Sequence, residues 1–362
     1  MKIGVPAEIK SDEYRVAMRP VGVQLLVSDG HDVMVQAGAG LGSGYEDSDY
    51  LDAGAVIVDD ADAVYGNAEL VVKVKEPLDE EIAKLRAGQI LFCYFHFASS
   101  RSLTEGCLEK GISAVAYETL VDNHGRLPLL TPMSEVAGKM AIQQAAKYLE
   151  KPMNGRGILI GGVTGVATAD VLVLGGGTVG TNAARVAAGL RANVVVMDIN
   201  LDRLRYLDEI MPDNVTTVYC DPHAVERYAL QADVVVGAIL VPGSRADQLI
   251  NRRLLRQMKS GSVLVDVCID QGGCSETSRP TTHHDPVYVE EGVVHYCVAN
   301  MPGAVSRTST QALCNATLPY TREIANLGLD AFIARSEGRS SALNMRDGKI
   351  LHQGVHAAFP DL

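Results

Sequence analysis

The chain has 362 residues, enough for two ordinary domains, and 47% of them are apolar, so a full core can be built. Lys and Arg number 32 against 44 Asp and Glu, a formal net charge of -12. A surface this acidic argues against nucleic acid, which needs basic patches to neutralise phosphates, and leaves small metabolites and other proteins as partners.

The N-terminus, Met1-Lys2-Ile3-Gly4-Val5-Pro6, has neither the apolar core nor the cleavage site of a signal peptide. Short apolar runs follow at Ile3 to Val5, Val33 to Val35, Val56 to Val58, Leu70 to Val74, Ile90 to Tyr94 and Ser113 to Tyr117. They are rich in Val and Ile, which is how buried parallel strands read. Pro20 to Ser28 and Leu78 to Leu85 can supply crossover helices. A long helix is expected where Ala137, Met140, Ala141, Gln144, Ala145, Tyr148 and Leu149 recur at helical spacing, with Ser134 as its N-cap and Pro152 near its end.

The longest candidate membrane stretch, Ile158 to Leu174, is interrupted by Gly161, Gly162, Gly165 and Asp170 and reads as strand, loop and strand, so no membrane partner is expected. A second α/β series runs through Val171 to Leu174, Asn193 to Met197, Asp233 to Ala238, Ser262 to Val267 and Val293 to Val298. The tail returns to helix between about Ser309 and Ala334, where Pro319 should bend or interrupt it. Asp347-Gly348 is the commonest hairpin pair. The seven cysteines are odd in number, lack any CxxC pair and sit partly in apolar runs. They read as reduced thiols of a cytoplasmic protein rather than a disulfide framework or a zinc site.

The strand Val171 to Leu174 runs directly into Gly175-Gly176-Gly177-Thr178-Val179-Gly180, then a helical run from Thr181 to Leu190, then a second strand ending in Asp198. A bare GxGxxG is weak, but strand, helix, second strand and an acid about 20 residues on are the context a dinucleotide site requires. Gly175 permits the tight turn, Gly177 leaves room for a pyrophosphate, and Gly180 lets the helix pack against the sheet. The helix N-terminus offers amides and a partial positive charge to phosphate. Asp198 can accept hydrogen bonds from a ribose and would repel a 2′-phosphate, so NAD is expected rather than NADP. The plainer reading is a glycine turn alone.

Ligands of open α/β sheets sit at the carboxyl ends of the strands. Lys75 and His96 both lie just past such ends, and Arg15 lies in the polar loop after the first strand. Together they suit a small oxo or amino acid. Arg binds a carboxylate with two parallel bonds, Lys polarises a ketone oxygen, and His exchanges protons near neutral pH. Taken singly, Arg15 and Lys75 read as solvated charges and His96 as a structural histidine; the shared location lifts the set. Asp270 follows the strand ending in Val267, before Gln271-Gly272-Gly273, and is either a second proton-handling acid or a turn former. His283-His284, in a proline-flanked loop, reads as a turn cap rather than a metal ligand pair, and Cys274 as packing; no metal is expected.

Over nearly its whole length the chain resembles the bacterial alanine dehydrogenases. The stretches that carry this are Gly4-Val5-Pro6 with Glu13-Tyr14-Arg15-Val16, Val74-Lys75-Glu76-Pro77, Tyr94-Phe95-His96-Phe97, Leu129 to Gly138, the glycine fingerprint, Asp266 to Cys274, Ser278 to His283, and Asn300-Met301-Pro302-Gly303-Ala304. The resemblance implies two Rossmann-like doubly wound parallel-sheet domains joined by long helices. Residues 1–128 plus 307–362 would form a discontinuous substrate domain, and 129–306 an inserted NAD-binding domain. The implied reaction is reversible NAD-dependent oxidative deamination of L-alanine to pyruvate and ammonium, by a cytoplasmic homohexamer. Arg15 and Lys75 would bind the substrate, with Lys75 also catalytic, and His96 and Asp270 would handle protons. Ser134, Gly175, Gly177, Thr178, Val179, Gly180, Asp198, Arg203, Cys220, Ile239, Leu240, Val267, Asp270, Arg279, Val298, Asn300 and Met301 would line the cofactor cleft. Three departures stand out: Cys220 replaces a small hydroxyl residue, Gly162 to Ala167 lacks the usual loop prolines, and Ser306 stands where proline is common. The rival readings are the nucleotide-binding component of a transhydrogenase and a catalytically silent NAD-binding module. The second could have lost Arg15, Lys75, His96 and Asp270, and all four are present.

Overall fold

The short Val- and Ile-rich runs become the interior strands of two separate sheets. The computed structural model describes residues 1–239 and 247–362, and the chain divides into a unit of Met1–Met133 with Gly303–Leu362 and a unit of Ser134–Pro302. In chain order the strands are β1 (Lys2–Val5), β2 (Asp32–Gln36), β3 (Val56–Val58), β4 (Leu70–Val72), β5 (Ile90–Cys93), β6 (Ser113–Ala116), β7 (Asp170–Leu174), β8 (Asn193–Asp198), β9 (Val215–Tyr219), β10 (Val234–Gly237), β11 (Val263–Asp266), β12 (Val287–Glu290), β13 (Val293–Tyr296), β14 (Leu343–Arg346) and β15 (Lys349–Ile350).

The first sheet has the order β15-β14-β6-β5-β4-β1-β2-β3, and the second β12-β13-β11-β10-β7-β8-β9. Within the first, β1 to β6 are mutually parallel, with β14 and β15 antiparallel at one edge. In the second, β12 alone among the described strands is antiparallel. Leaving out the antiparallel strands, both sheets carry the same winding, 3-2-1-4-5-6, so each has a topological switch point beside its first strand. The central strands β4, β5, β6, β10 and β11 are buried along their whole length. That burial on both faces explains their continuous apolar sequence.

The edge strands read less clearly. β9, Val-Thr-Thr-Val-Tyr, and β12, Val-Tyr-Val-Glu, are half exposed and mix polar with apolar residues, so neither stands out as a buried run. Helices bracket the strands at Pro20–Ser28, Arg101–Lys110, Thr131–Tyr148, Thr178–Gly189, Leu201–Ile210, Pro222–Gln231 and Ser306–Leu327. The helix expected over Leu78 to Leu85 shrinks to Asp79–Ile82.

Two expectations are corrected. The long helix begins at Thr131, so Ser134 lies inside its first turns and is not its N-cap. Thr131 Oγ1 instead donates to the Leu127 carbonyl at 3.0 Å. The tail helix runs unbroken through Pro319, and the interruption falls at Gly328, after which Leu329–Ile333 forms a separate helix. The hairpin at Asp347-Gly348 forms as read. Arg346 pairs with Lys349, and both turn residues take positive φ (51° and 73°), as a two-residue hairpin turn of primed type demands. No helix among the described residues is long and apolar enough to cross a membrane.

Candidate active site and nucleotide cradle

In the second unit, parallel pairing brings the predicted nucleotide residues to one edge of the sheet. Leu174 is in register with Met197, Asp198 with Tyr219, and Gly237 with both Leu174 and Asp266. The glycine turn, Asp198, Cys220, Ile239 and Val267 therefore emerge together at the carboxyl ends of β7, β8, β9, β10 and β11. Leu240 lies outside the described residues. Gly175 has φ +103°, and a Cβ there would meet the Ala238 carbonyl oxygen at 2.5 Å. A Cβ on Gly180 would overlap the carbonyl oxygen of Gly175, so helix and turn touch backbone to backbone. Gly177 is exposed, with open space where a side chain would stand.

The helix Thr178–Gly189 starts on Gly177 with no side-chain cap. Its first amides are thus available for an anion. This donor set and the room over Gly177 fit a pyrophosphate. Asp198 is fixed from both sides: Oδ2 accepts from Gly176 N and Oδ1 from Asn200 N, each at 2.8 Å. Each oxygen keeps a second lone pair for a ribose hydroxyl. Arg203 braces the same turn, donating from Nε to the Gly176 carbonyl (2.5 Å) and from a terminal nitrogen to Thr181 Oγ1 (2.6 Å). Cys220 is half-buried; its amide donates to the Asp198 carbonyl at 3.0 Å. Burial first, then the charge of Asp198, pushes its thiol pKa up.

The remaining predicted cofactor residues occupy other segments of this unit. Ser134 sits one helical turn before Gly138, where a Cβ would collide with the Val179 carbonyl, so this long helix packs tightly on the start of the nucleotide helix. Val298 and Met301 are buried, and Asn300 holds a left-handed conformation (φ 63°) with its carbonyl on His283 Nε2 at 3.1 Å. Arg279 lies over the Tyr288 ring, 3.9 Å from its centroid.

Asp270 is exposed in a single 3-10 turn, Ile269–Gln271, just past β11. The loop that carries it is organised by the buried Asp266, which accepts from Cys268 Sγ (3.0 Å), Cys274 N (2.8 Å) and Ser278 Oγ (2.5 Å). Cys274 is fully buried against Gly237, as a packing residue should be. All seven thiols are free, and six of them are buried. Without prolines, the segment from Gly162 to Ala167 turns through a Val163–Val166 bridge with positive φ at Gly162 and Gly165.

In the first unit, β4 and β5 pair in register, and the ladder continues beyond them from Tyr94 N to the Val74 carbonyl (3.1 Å). Lys75 and His96 thus leave neighbouring strand ends. Arg15 is buried and held by Glu13, which accepts from its Nε (2.6 Å) and a terminal nitrogen (2.5 Å). Another terminal nitrogen points to Met133 Sδ at 3.0 Å, a weak acceptor that a carboxylate would outcompete. Lys75 makes no side-chain hydrogen bond to any described residue. Its burial, and then the charge of Arg15, lowers its pKa. His96 is exposed and left-handed (φ 52°, ψ 40°), its ring stacked on Tyr94 at 5.9 Å.

Sequence reading missed the groups that hold these three. Glu13 fixes Arg15, Glu8 and Glu118 hold the strand-end loops, and Tyr94 donates to the Leu129 carbonyl at 2.5 Å. Their partners are distant in sequence, except for Glu13, whose position two residues from Arg15 was the one local signal. Ser306 now has a role: its hydroxyl donates to the Gly42 carbonyl at 2.6 Å, a bond proline could not make.

Family models described as "Alanine dehydrogenase/PNT, N-terminal domain" and "Alanine dehydrogenase/PNT, C-terminal domain" match residues 4–137 and 141–353. A curated protein of Halomonas elongata named alanine dehydrogenase is 54% identical over 359 residues, covering 99% of this chain and 97% of that one. A solved structure titled L-alanine dehydrogenase superposes with TM-score 0.96 at 47% identity, covering 100% of this chain and 99% of its own. A transhydrogenase structure from Sinorhizobium meliloti has TM-score 0.82 at 23% identity, with 98% and 99% covered, and shares the fold.

Proposed function

Because the chain belongs to the alanine dehydrogenase/PNT family, we propose that it catalyses the reversible NAD-dependent oxidative deamination of L-alanine to pyruvate and ammonium. The observation that carries this reading is 54% identity, over almost the entire chain, to a protein named alanine dehydrogenase. The transhydrogenase reading has only a 23% identical likeness of fold behind it.

Gly175, Gly177, Gly180 and the amides of Thr178 and Val179 would hold the pyrophosphate, and Asp198 the ribose. When bound, the nicotinamide supplies a hydride acceptor for the α-hydrogen of alanine. Arg15, held in place by Glu13, binds the substrate carboxylate. Lys75, whose ammonium has no hydrogen-bonded carboxylate among the described residues, contacts the amino or oxo group and stabilises charge on the oxygen as the carbonyl forms or is attacked. His96 and Asp270 take up and return the protons of the water that replaces ammonia. The same reading includes a cytoplasmic homohexamer, which rests on family resemblance.

An absorbance assay at the NADH band, with alanine, serine, glycine and pyruvate plus ammonium, tests it. Signal is expected with alanine in one direction and pyruvate plus ammonium in the other. Silence with both would overturn the reading.

A further inference from the structure

One arrangement occurs twice in the first unit, each time immediately behind a residue assigned to the chemistry. Glu8, just past β1, accepts from Val74 N (2.7 Å) and Lys75 N (3.3 Å). Glu118, just past β6, accepts from Phe95 N (3.2 Å to each oxygen) and His96 N (2.6 Å). In both cases a carboxylate from another strand end gathers two successive backbone amides, the second belonging to Lys75 or to His96.

The first glutamate is not explained by charge balance alone. Glu8 also meets the buried Lys73 ammonium at 3.2 Å, yet Lys73 already has Glu81 at 2.7 Å. The side chains of Glu8, Lys73 and Glu81 are 2%, 0% and 3% exposed. Burying such a cluster costs desolvation that ion pairing seldom returns as stability. The shortest bond Glu8 makes is to the backbone at Val74, which fixes the path of the chain into Lys75. Lys75 has no side-chain hydrogen bond of its own to any described residue, so its placement depends on that backbone. The second glutamate holds a conformation that needs holding. A left-handed φ is unfavourable for a residue with a Cβ, and persists where surrounding bonds over-determine it. Charge-assisted bonds from Glu118 to the Phe95 and His96 amides fix the chain on the N-terminal side of that φ, while Ser99 N (2.9 Å) and Ser99 Oγ (2.7 Å) donate to the His96 carbonyl on the other side.

We propose that Glu8 and Glu118 are positioning residues, Glu8 setting Lys75 against the substrate and Glu118 setting the His96 imidazole for proton transfer. The proposal rests on the dehydrogenase reading for its kinetic readout. Steady-state kinetics of the full chain with pyruvate, ammonium and NADH separate the two roles. Glu118→Ala should lower kcat about 100-fold, the effect of a small misplacement of a reacting group, and change the pH dependence of kcat. Its KM for pyruvate should stay within about threefold of wild type. Glu8→Ala should instead raise KM for pyruvate about tenfold or more. Glu118→Gln and Glu8→Gln, which keep one carbonyl acceptor, should recover part of each loss.

NADH binding, followed by fluorescence, should be unchanged in all four variants and reports on folding of the second unit. If an Ala variant fails to fold, its Gln counterpart carries the same comparison. Wild-type kinetics in both Ala variants, or the same proportional loss of kcat and KM in both, would overturn the proposal. If the wild type turns over neither alanine nor pyruvate, the functional reading fails instead. The positioning claim is then decided by a crystal structure of Glu118→Ala, where a His96 φ that stays positive refutes it.

Discussion

Within the glycine turn, Gly177 and Gly180 meet different surroundings, and substitution tells them apart. Gly180→Ala places a methyl against the Gly175 carbonyl, backbone that cannot step aside. It should destabilise the chain by about 1–3 kcal/mol, read as a fall in Tm, and weaken NADH binding with it. Gly177→Ala enters open space. Its Tm should hold while the Kd for NADH rises about tenfold or more, because the methyl occupies room the pyrophosphate needs. A fluorescence titration beside a melting curve separates these outcomes. His96→Ala and Asp270→Ala concern exposed side chains in loops, so both should fold normally and lose turnover. Wild-type rates in both would remove them from the mechanism.

Helix Pro20–Ser28 and the tail helix Ser306–Leu327 are almost 300 residues apart in sequence, yet an ion pair joins them. Arg322 donates to both oxygens of Asp29, at 2.7 and 2.8 Å, and Asn326 adds a third bond at 3.1 Å. These bonds hold the Asp29 carboxyl at about 2, below its usual range. A carboxyl pKa depressed in the folded state stabilises that state above the unfolded value of about 3.9, and the contribution disappears as pH falls toward the folded value. Asp29→Asn should therefore lower Tm at neutral pH, and the gap to wild type should close as the melting buffer is taken from about pH 4 to about pH 2. The pair is partly exposed, so its neutral-pH effect should shrink in high salt. A gap that widens in acid would contradict this assignment.

The first unit is discontinuous, and its returning segment braces the loop that carries Arg15. Thr310 Oγ1 accepts from Val16 N (3.1 Å) and pairs with Ser43 Oγ (2.8 Å), while Cys314 Sγ donates to the Ala17 carbonyl (3.2 Å). The tail helix thus buttresses the loop that carries Arg15. The segment also supplies β14, which covers the open edge of β6. A chain ended at Pro302 should leave that edge exposed and the Arg15 loop unsupported. Its first unit should fail to fold, seen as lost helix signal by circular dichroism and low soluble yield. The second unit, Ser134–Pro302, keeps every strand of its own sheet. Full-length stability in the truncated chain would show that the segment is dispensable.

Much of this architecture is written in local patterns. Interior strands show as apolar runs because both faces are buried, and the nucleotide turn shows because its glycines answer backbone constraints a few residues apart. Lys75, His96 and Asp270 were legible as strand-end residues for the same reason. The half-polar edge strands β9 and β12 and the true start of the long helix at Thr131 were not, since partial exposure weakens the periodic signal. Glu8 and Glu118 were invisible for a different reason. Their partners lie 66 and 22 residues away, and only the sheet order brings these strand ends together. Residue type and spacing determine which segments form strands and where chemistry can sit. The order in which strands pair decides which carboxylate reaches which amide, and so how Lys75 and His96 are held.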